Sequence, residues 1–372
     1  MKRRPFPLQA PKNILVIATR RIGDVLLATP VLRSLRHAYP ETKLDVVVFK
    51  GTEGCLSANK DIDRIITIME GAAAREQIRT LCKLFRRYDM AISTLSGDRP
   101  IFYSWVAGKN CIGPVEDGCK HLWKRVLLDK YEPFDNYETH TVTMNLSLLS
   151  SLDIQQIPEV ITAWEESDEL TVHQLLPFDR DTESYAVVHV CPKFSYKMWT
   201  QEGWIKLIGW LKSRRFRIVL TGSDSAYELE YVSFLCQSLP SDIINVAGAL
   251  TLNGVACLLS KASVYIGLDT SVTHMAAASG ITTIALYGPT NPVKWGPMPQ
   301  NASFHGRSPY HRKGSQIVQN VFLLQGKDDC VPCHEEGCDR NTKSFSKCLQ
   351  NMAAVDVIEA VKIMMTRDGW PE

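Results

Sequence analysis

The chain has no apolar run near the roughly 18 residues needed to cross a bilayer, so no membrane-spanning helix is expected. No G-x-G-x-x-G follows its first apolar strand, and no G-x-x-x-x-G-K-[ST] occurs anywhere. Those absences remove the dinucleotide fingerprint and the P-loop, the two usual phosphate-loop readings. The start, Met1–Lys12, is basic and proline-rich but has no apolar stretch of the kind a secretory signal carries, so a cytoplasmic location is expected. No repeat of solenoid length is present. Net charge is only +2.

What is present fits a globular chain of two α/β domains: 372 residues, of which 45% are hydrophobic. The 11 cysteines are mostly scattered in apolar surroundings (Cys82, Cys191, Cys236, Cys257), which suits reduced core thiols better than a disulfide framework. The small net charge hides a split. Residues 1–130 hold 23 Lys and Arg against 13 Asp and Glu, a balance of +10, whereas 131–372 hold 19 against 27, a balance of −8. A basic half suits an anionic partner: a nucleic acid, a phosphorylated glycan or an acidic membrane surface. The alternative is a solvated face with no specific ligand.

Strand and helix patterns alternate along both halves, which predicts parallel sheets covered by helices. In the first half, strands are expected at 13–18, 44–49, 64–68 and 90–94, with helices at 23–38, kinked at Pro30, and at 72–88. The stretch 120–133 carries a basic, aromatic cluster (Lys120, His121, Trp123, Lys124, Arg125) and reads as a surface loop or an interfacial helix. A helix at 139–152 precedes a polar linker over 155–181. The pattern then restarts, with strands at 185–190, 216–221, 243–246, 264–268 and 282–287, and a last helix at 353–366.

The most informative segment is 264–290. An apolar strand ends at Asp269, the hydroxyl residues Thr270, Ser271 and Thr273 follow, and a small alanine-rich helix leads to a second apolar strand. A strand feeding a hydroxyl-rich helix N-terminus is an anion site, because free N–H groups and the helix dipole both face the ligand. Asp269 is placed to bind sugar hydroxyls. The loop Cys191–Trp199 brings Lys193 and Lys197 to another strand's carboxyl end, where they could neutralise a departing diphosphate. Glu228, after Gly222-Ser223-Asp224, is a candidate for ribose hydroxyls or a solvated first-turn acid. Near the start, Gly23 allows a tight turn and Asp24 opens a helix; it reads as a first-turn aspartate or as a general base, with Arg20 and Arg21 binding an anionic acceptor and keeping the carboxylate ionised.

Four stretches taken together resemble the ADP-heptose:lipopolysaccharide heptosyltransferases, glycosyltransferase family 9: Leu15-Val16-Ile17-x3-Arg21-Ile22-Gly23-Asp24-Val25-Leu26-Leu27; Lys197-Met198-Trp199; Gly267-x-Asp269-Thr270-Ser271-x2-His274; and Tyr287-Gly288-Pro289-Thr290. The resemblance runs from about Lys12 to Met364, and the 194–199 loop and cysteine-rich tail look most like the branch called heptosyltransferase III. It implies a GT-B fold of α/β class, two Rossmann-like domains facing across a cleft. The acceptor-binding domain is expected over 1–170, the ADP-sugar domain over 171–352, and a final helix, 353–372, packing back toward the first domain. It implies Asp24 as the base that deprotonates the acceptor, Lys197 on the donor's phosphate and sugar, Asp269 on heptose hydroxyls, Thr270, Ser271, Val272 and Thr273 around the diphosphate, and Leu250 beside adenine. Glu228 matches the family's ribose-binding acid with a variable spacing after Gly222, and Lys193 is a donor-binding candidate from its loop alone. The implied reaction is inverting transfer of heptose from ADP-heptose to the lipopolysaccharide inner core, with no cofactor required and no nucleic-acid partner, at the cytoplasmic face of the inner membrane. The competing readings are a heptosyltransferase acting on an autotransporter protein and a nucleotide-sugar-binding GT-B protein without transferase activity.

Cys330, Cys333, Cys338 and Cys348 stand apart from the other cysteines at metal-like spacing. They read as a structural zinc or iron site or as a reduced cluster packing a loop.

Overall fold

The computed structural model describes residues 10–302 and 306–369; the first nine residues of the basic start lie outside them. The chain divides into two compact units, Met1–Ile161 and Thr162–Glu372.

The first unit is built on six parallel strands: β1 (Asn13–Ile17), β2 (Lys43–Phe49), β3 (Arg64–Ile68), β4 (Tyr88–Ser93), β5 (Gly108–Val115) and β6 (Lys130–Pro133), in the order β3-β2-β1-β4-β5-β6. β1 is central and its residues Ile14–Ile17 are buried, as expected where helices cover both faces of a parallel sheet. Val16 pairs with Val46 on one side and Ile92 on the other. The single kinked helix expected over 23–38 is two helices, Ile22–Leu26 and Thr29–Ala38. Pro30 falls in the first turn of the second, where a missing N–H costs nothing, so it starts a helix rather than bending one. Cys82, expected in apolar surroundings, is exposed on the helix Ala74–Leu84.

The second unit holds β7 (Tyr185–His189), β8 (Arg217–Thr221), β9 (Ile244–Asn245), β10 (Val264–Leu268), β11 (Thr282–Tyr287), β12 (Gln316–Val318) and β13 (Val321–Gln325), in the order β12-β13-β11-β10-β7-β8-β9. All pairs are parallel except β12 with β13, an antiparallel edge. The expected linker at 155–181 contains a helix, Glu166–Leu175, started by a capping box between Glu165 and Asp168. That helix packs on the helix Leu252–Leu259, and Thr251 Oγ1 donates to Asp168 Oδ1 at 2.8 Å. These contacts put 162–170 with the second unit, so the units divide after Ile161 rather than after residue 170. The last helix, Ala354–Arg367, buries Val357, Ala360, Val361 and Met364 in a core shared with Trp204, Leu207 and Leu211 of the helix Gln201–Ser213. Its apolar stripe is used within the second unit.

Candidate active site

Each sheet reverses its strand order beside its first strand, between β1 and β4 in the first unit and between β7 and β10 in the second. Ligands of open α/β sheets bind in the crevice at the carboxyl ends of the strands flanking such a reversal. In the second unit the loop after β7 carries Lys197 and the loop after β10 carries Asp269, and the two meet. Lys197 Nζ lies 2.5 Å from Asp269 Oδ2 and donates to the Asp269 carbonyl at 3.3 Å. Thr290, in the loop after β11, donates its hydroxyl to the same Oδ2 at 2.6 Å. Burial pushes the Asp269 carboxyl up, but the charge and hydrogen bond of Lys197, the Thr290 hydroxyl and His274 together hold it below its ordinary value. Asp269 is therefore a buried, fixed carboxylate.

His274 is buried on the next helix, and burial lowers its pKa to about 4, with Lys197 acting in the same direction and Asp269 against it. Its imidazole is neutral at neutral pH, and its Nδ1 is buried with no hydrogen-bond partner among the described residues. The helix Ser271–Ala278 has Thr270 at its N-cap, with no side-chain cap bond, so the hydroxyl leaves the first-turn N–H groups open. Ser271 is half-buried and Val272 buried at that end. Thr273 is used differently from its neighbours. Its hydroxyl is fully buried, donates to the Leu268 carbonyl and lies 2.9 Å from the Tyr265 hydroxyl. Gly267 permits this arrangement, since a Cβ there would overlap Tyr265. The Thr273 side chain thus locks the strand-to-helix turn, and only its backbone remains available to a ligand.

The other sequence candidates of this unit are distributed around the same sheet end. Lys193 is exposed, its ammonium 5.8 Å from the centre of the Phe194 ring. Glu228 is buried and its Oε2 accepts from the Ser223 N–H at 2.7 Å, which ties one oxygen to the loop after β8. Leu250 is half-buried and faces Gly254 in the helix Leu252–Leu259, where a Cβ would come within 3.1 Å of it.

In the first unit Asp24 sits in the first turn after β1, also at the reversal. Burial raises its carboxyl above the ordinary value, opposed by Arg20 and Arg21. Arg20 Nη1 is 3.5 Å from Asp24 Oδ1. The arginines were expected to keep the carboxylate ionised; they counter burial without overcoming it. A raised carboxyl is a stronger base once ionised, which suits proton abstraction.

Comparison with known proteins gives this geometry its setting. A signature described as glycosyltransferase family 9 (heptosyltransferase) matches residues 86–320. The chain belongs to glycosyltransferase family 9. Across family 9, it is 27% identical over 359 residues to lipopolysaccharide heptosyltransferase 3 of Escherichia coli K12, covering 93% of this chain and 96% of that protein. It is 23% identical to the lipopolysaccharide core heptosyltransferase OpsX of Haemophilus influenzae, covering 79% and 84%. Among solved structures, a glycosyl transferase family 9 protein from Veillonella parvula superposes with a TM-score of 0.75 at 20% identity, over 96% of this chain and 97% of that one. The E. coli heptosyltransferase WaaC with ADP gives 0.68 at 20%, over 95% and 99%. The fold is of GT-B class, and a family 9 chain is a glycosyltransferase.

Three contributors to this cluster lie outside the sequence candidates. Thr290 and His274 stood within the quoted motifs and are now seen bonded to, or beside, Asp269. The third is the cysteine-rich tail, which braces the Lys197 loop. Ser346 Oγ donates to the Tyr196 carbonyl at 2.6 Å, Gln350 Nε2 to the Met198 carbonyl at 2.8 Å, and Trp199 Nε1 to the Met352 carbonyl at 2.8 Å. Gly288 and Gly326 admit this segment, since a Cβ at either would press on Leu349 or Cys348. A bond between residues some 150 apart has no local signal.

The tail's cysteines do not fit a metal centre as they stand. No group of three or more His, Cys, Asp or Glu among the described residues is disposed to hold an ion. Burial, with Asp328, Cys333 and Cys330, pushes the Cys348 thiol up to about 12. Cys338 Sγ accepts from the Lys347 N–H at 3.4 Å. The loop-packing reading fits these observations.

Proposed function

We propose that this protein transfers heptose from ADP-heptose to the inner core of lipopolysaccharide with inversion at the anomeric carbon. The observation that carries the reading is the cluster of buried Asp269 with half-buried Lys197 and Thr290 at the N-terminus of the helix Ser271–Ala278. Sugar hydroxyls are donors that a fixed carboxylate accepts. A diphosphate suits a helix N-terminus with an ammonium beside it. One group holds the sugar and the other holds the leaving group, so one cluster recognises a nucleotide sugar.

In this reading the second unit holds the donor. Lys197 and the N–H groups of Ser271, Val272 and Thr273 stabilise the charge that grows on ADP as the glycosidic bond breaks. Glu228 takes ribose, Leu250 borders adenine, and Lys193 adds charge at the loop tip. The first unit holds the acceptor. Asp24 removes the proton of the attacking hydroxyl while that oxygen bonds the anomeric carbon and ADP departs from the opposite face. Arg20 and Arg21 bind phosphates or acidic sugars of the acceptor, which accounts for the basic first half. No covalent sugar–enzyme intermediate is needed, and neither is a metal. The chain works at the cytoplasmic face of the inner membrane as a peripheral enzyme; no described helix is long and apolar enough to cross a membrane. The similarity to heptosyltransferase 3 supports a side-branch heptose as product.

The test is incubation with ADP-heptose and a panel of truncated core acceptors, with an autotransporter passenger protein as a separate arm, followed by product mass. Addition of one heptosyl residue to a core acceptor is expected. Addition to the protein arm alone would replace the acceptor half of the reading.

A further inference from the structure

The helix Leu122–Leu127 is built inside out. Leu122, Trp123 and Val126 are 50%, 39% and 82% exposed. At 3.6 residues per turn they fall within an arc of about 100°. On the opposite side Lys124 is 1% exposed; its ammonium donates to the Ser96 carbonyl at 2.6 Å and pairs with Asp98 Oδ1 at 2.7 Å. A helix of a soluble domain normally turns its apolar arc inward and its charges outward. Here two acceptors compensate the buried ammonium, and the apolar arc is left to the outside.

The surroundings are basic and aromatic. Lys120 and Lys130 are exposed on either side of the helix. The Arg125 guanidinium lies 5.3 Å from the ring centre of Tyr131, itself an exposed aromatic. The helix Asp98–Ala107, packed against this one, exposes Phe102 and Trp105 with ring centres 5.7 Å apart. Exposed Trp, Phe and aliphatic side chains bordered by Lys and Arg are the composition of a bilayer interface: the apolar part enters the headgroup boundary and the cations meet lipid phosphates.

We infer that the Leu122–Leu127 helix, with its flanking Lys120 and Lys130, is a docking face for an anionic phospholipid surface. The inference rests on the proposed function, since a lipid-anchored acceptor is what makes such a surface useful.

The full-length protein is sedimented with vesicles of phosphatidylethanolamine and phosphatidylglycerol, and separately with phosphatidylcholine vesicles. Binding to the anionic vesicles is expected, weakened by salt. Val126→Asp with Trp123→Ser should lower partitioning about tenfold or more, and Lys120→Glu with Lys130→Glu should lower it too. Because these side chains are exposed, the melting temperature and the turnover on a soluble, delipidated acceptor should stay unchanged. Equal partitioning of variants and wild type, or equal binding to both vesicle types, overturns the inference. So does a wild-type dimer in size-exclusion chromatography that Val126→Asp dissolves without any vesicle binding. Vesicle binding that behaves as expected in a protein with no transferase activity keeps this inference and sinks the proposed function; the reverse pattern does the opposite.

Discussion

Replacing Lys197 by Met leaves Asp269 buried with its countercharge gone. In the native protein burial alone would raise the Asp269 carboxyl; the Lys197 charge and hydrogen bond lead the groups that reverse this. Without them the carboxyl rises above its ordinary value of 3.8. Breaking a buried pair from one side costs about 3–5 kcal/mol. Protonation sets a ceiling, because neutralising an ordinary aspartate at pH 7 takes about 4 kcal/mol, at about 1.4 kcal/mol per pH unit. The Thr290 hydroxyl remains as partial compensation, so a loss of about 3 kcal/mol at pH 7 is expected. The sign of the pH dependence follows. Native Asp269, with its lowered value, contributes stability above its unfolded pKa that is lost as pH falls through the folded one. In the variant the raised carboxyl carries a penalty above its folded pKa that fades as pH falls, so the deficit should be smaller at pH 5 than at pH 7. The variant Lys197→Met with Asp269→Asn, which leaves no buried charge, should recover most of it. Urea unfolding followed by tryptophan fluorescence measures this, since Trp199 and Trp204 sit edge to face in the core beside the loop, ring centres 4.8 Å apart. A loss below about 1 kcal/mol that is the same at pH 5 and pH 7 would mean a solvent-screened pair and refute the reasoning.

Three further outcomes are expected. The acid limb of kcat/KM should lie above the ordinary carboxylate range, because the proposed base Asp24 must be ionised to act and burial raises its carboxyl; Arg20→Gln should move the limb to higher pH, and a limb that stays in place would remove Arg20 from the surroundings of the proposed base. Ser346→Ala leaves the buried Tyr196 carbonyl without its donor, a cost of about 1–3 kcal/mol, and should raise the donor KM with little change in acceptor KM; equal effects on both would argue for a general loss of fold rather than a brace on the Lys197 loop. Gly288→Ala places a Cβ 2.7 Å from Leu349 Cγ and should destabilise by about 1–3 kcal/mol through overpacking, visible as a lowered melting temperature.

The central strands were legible because a parallel strand buried on both faces is a short, uninterrupted apolar run, as in Ile14–Ile17 and Thr282–Tyr287. The helix Asp98–Ala107, half exposed aromatics and half core, and the strand Gly108–Val115, broken by glycine and proline, lack a clean period and escaped notice. Glu165 and Asp168 spell a capping box inside a polar stretch whose charge density resembles a linker. Local motifs pointed to Asp24 and to the Asp269–Thr273 turn, and both lie in loops after the strands that flank a reversal of strand order. The Thr273 hydroxyl's bond to Tyr265 has no signal in the motif itself. The brace from Ser346 and Gln350 joins segments about 150 residues apart, and only folding reveals it.

The division of labour between a first-unit base and a second-unit donor site is tested most directly by Asp24→Asn. The variant is incubated with ADP-heptose and a truncated core acceptor, alongside titration with ADP. The account predicts native folding, unchanged ADP affinity and a fall in turnover of about 10²–10⁴-fold, while the wild type gives a product with anomeric configuration opposite to the donor's. Near-normal turnover in Asp24→Asn, or a wild-type product that retains the donor's configuration, would contradict it.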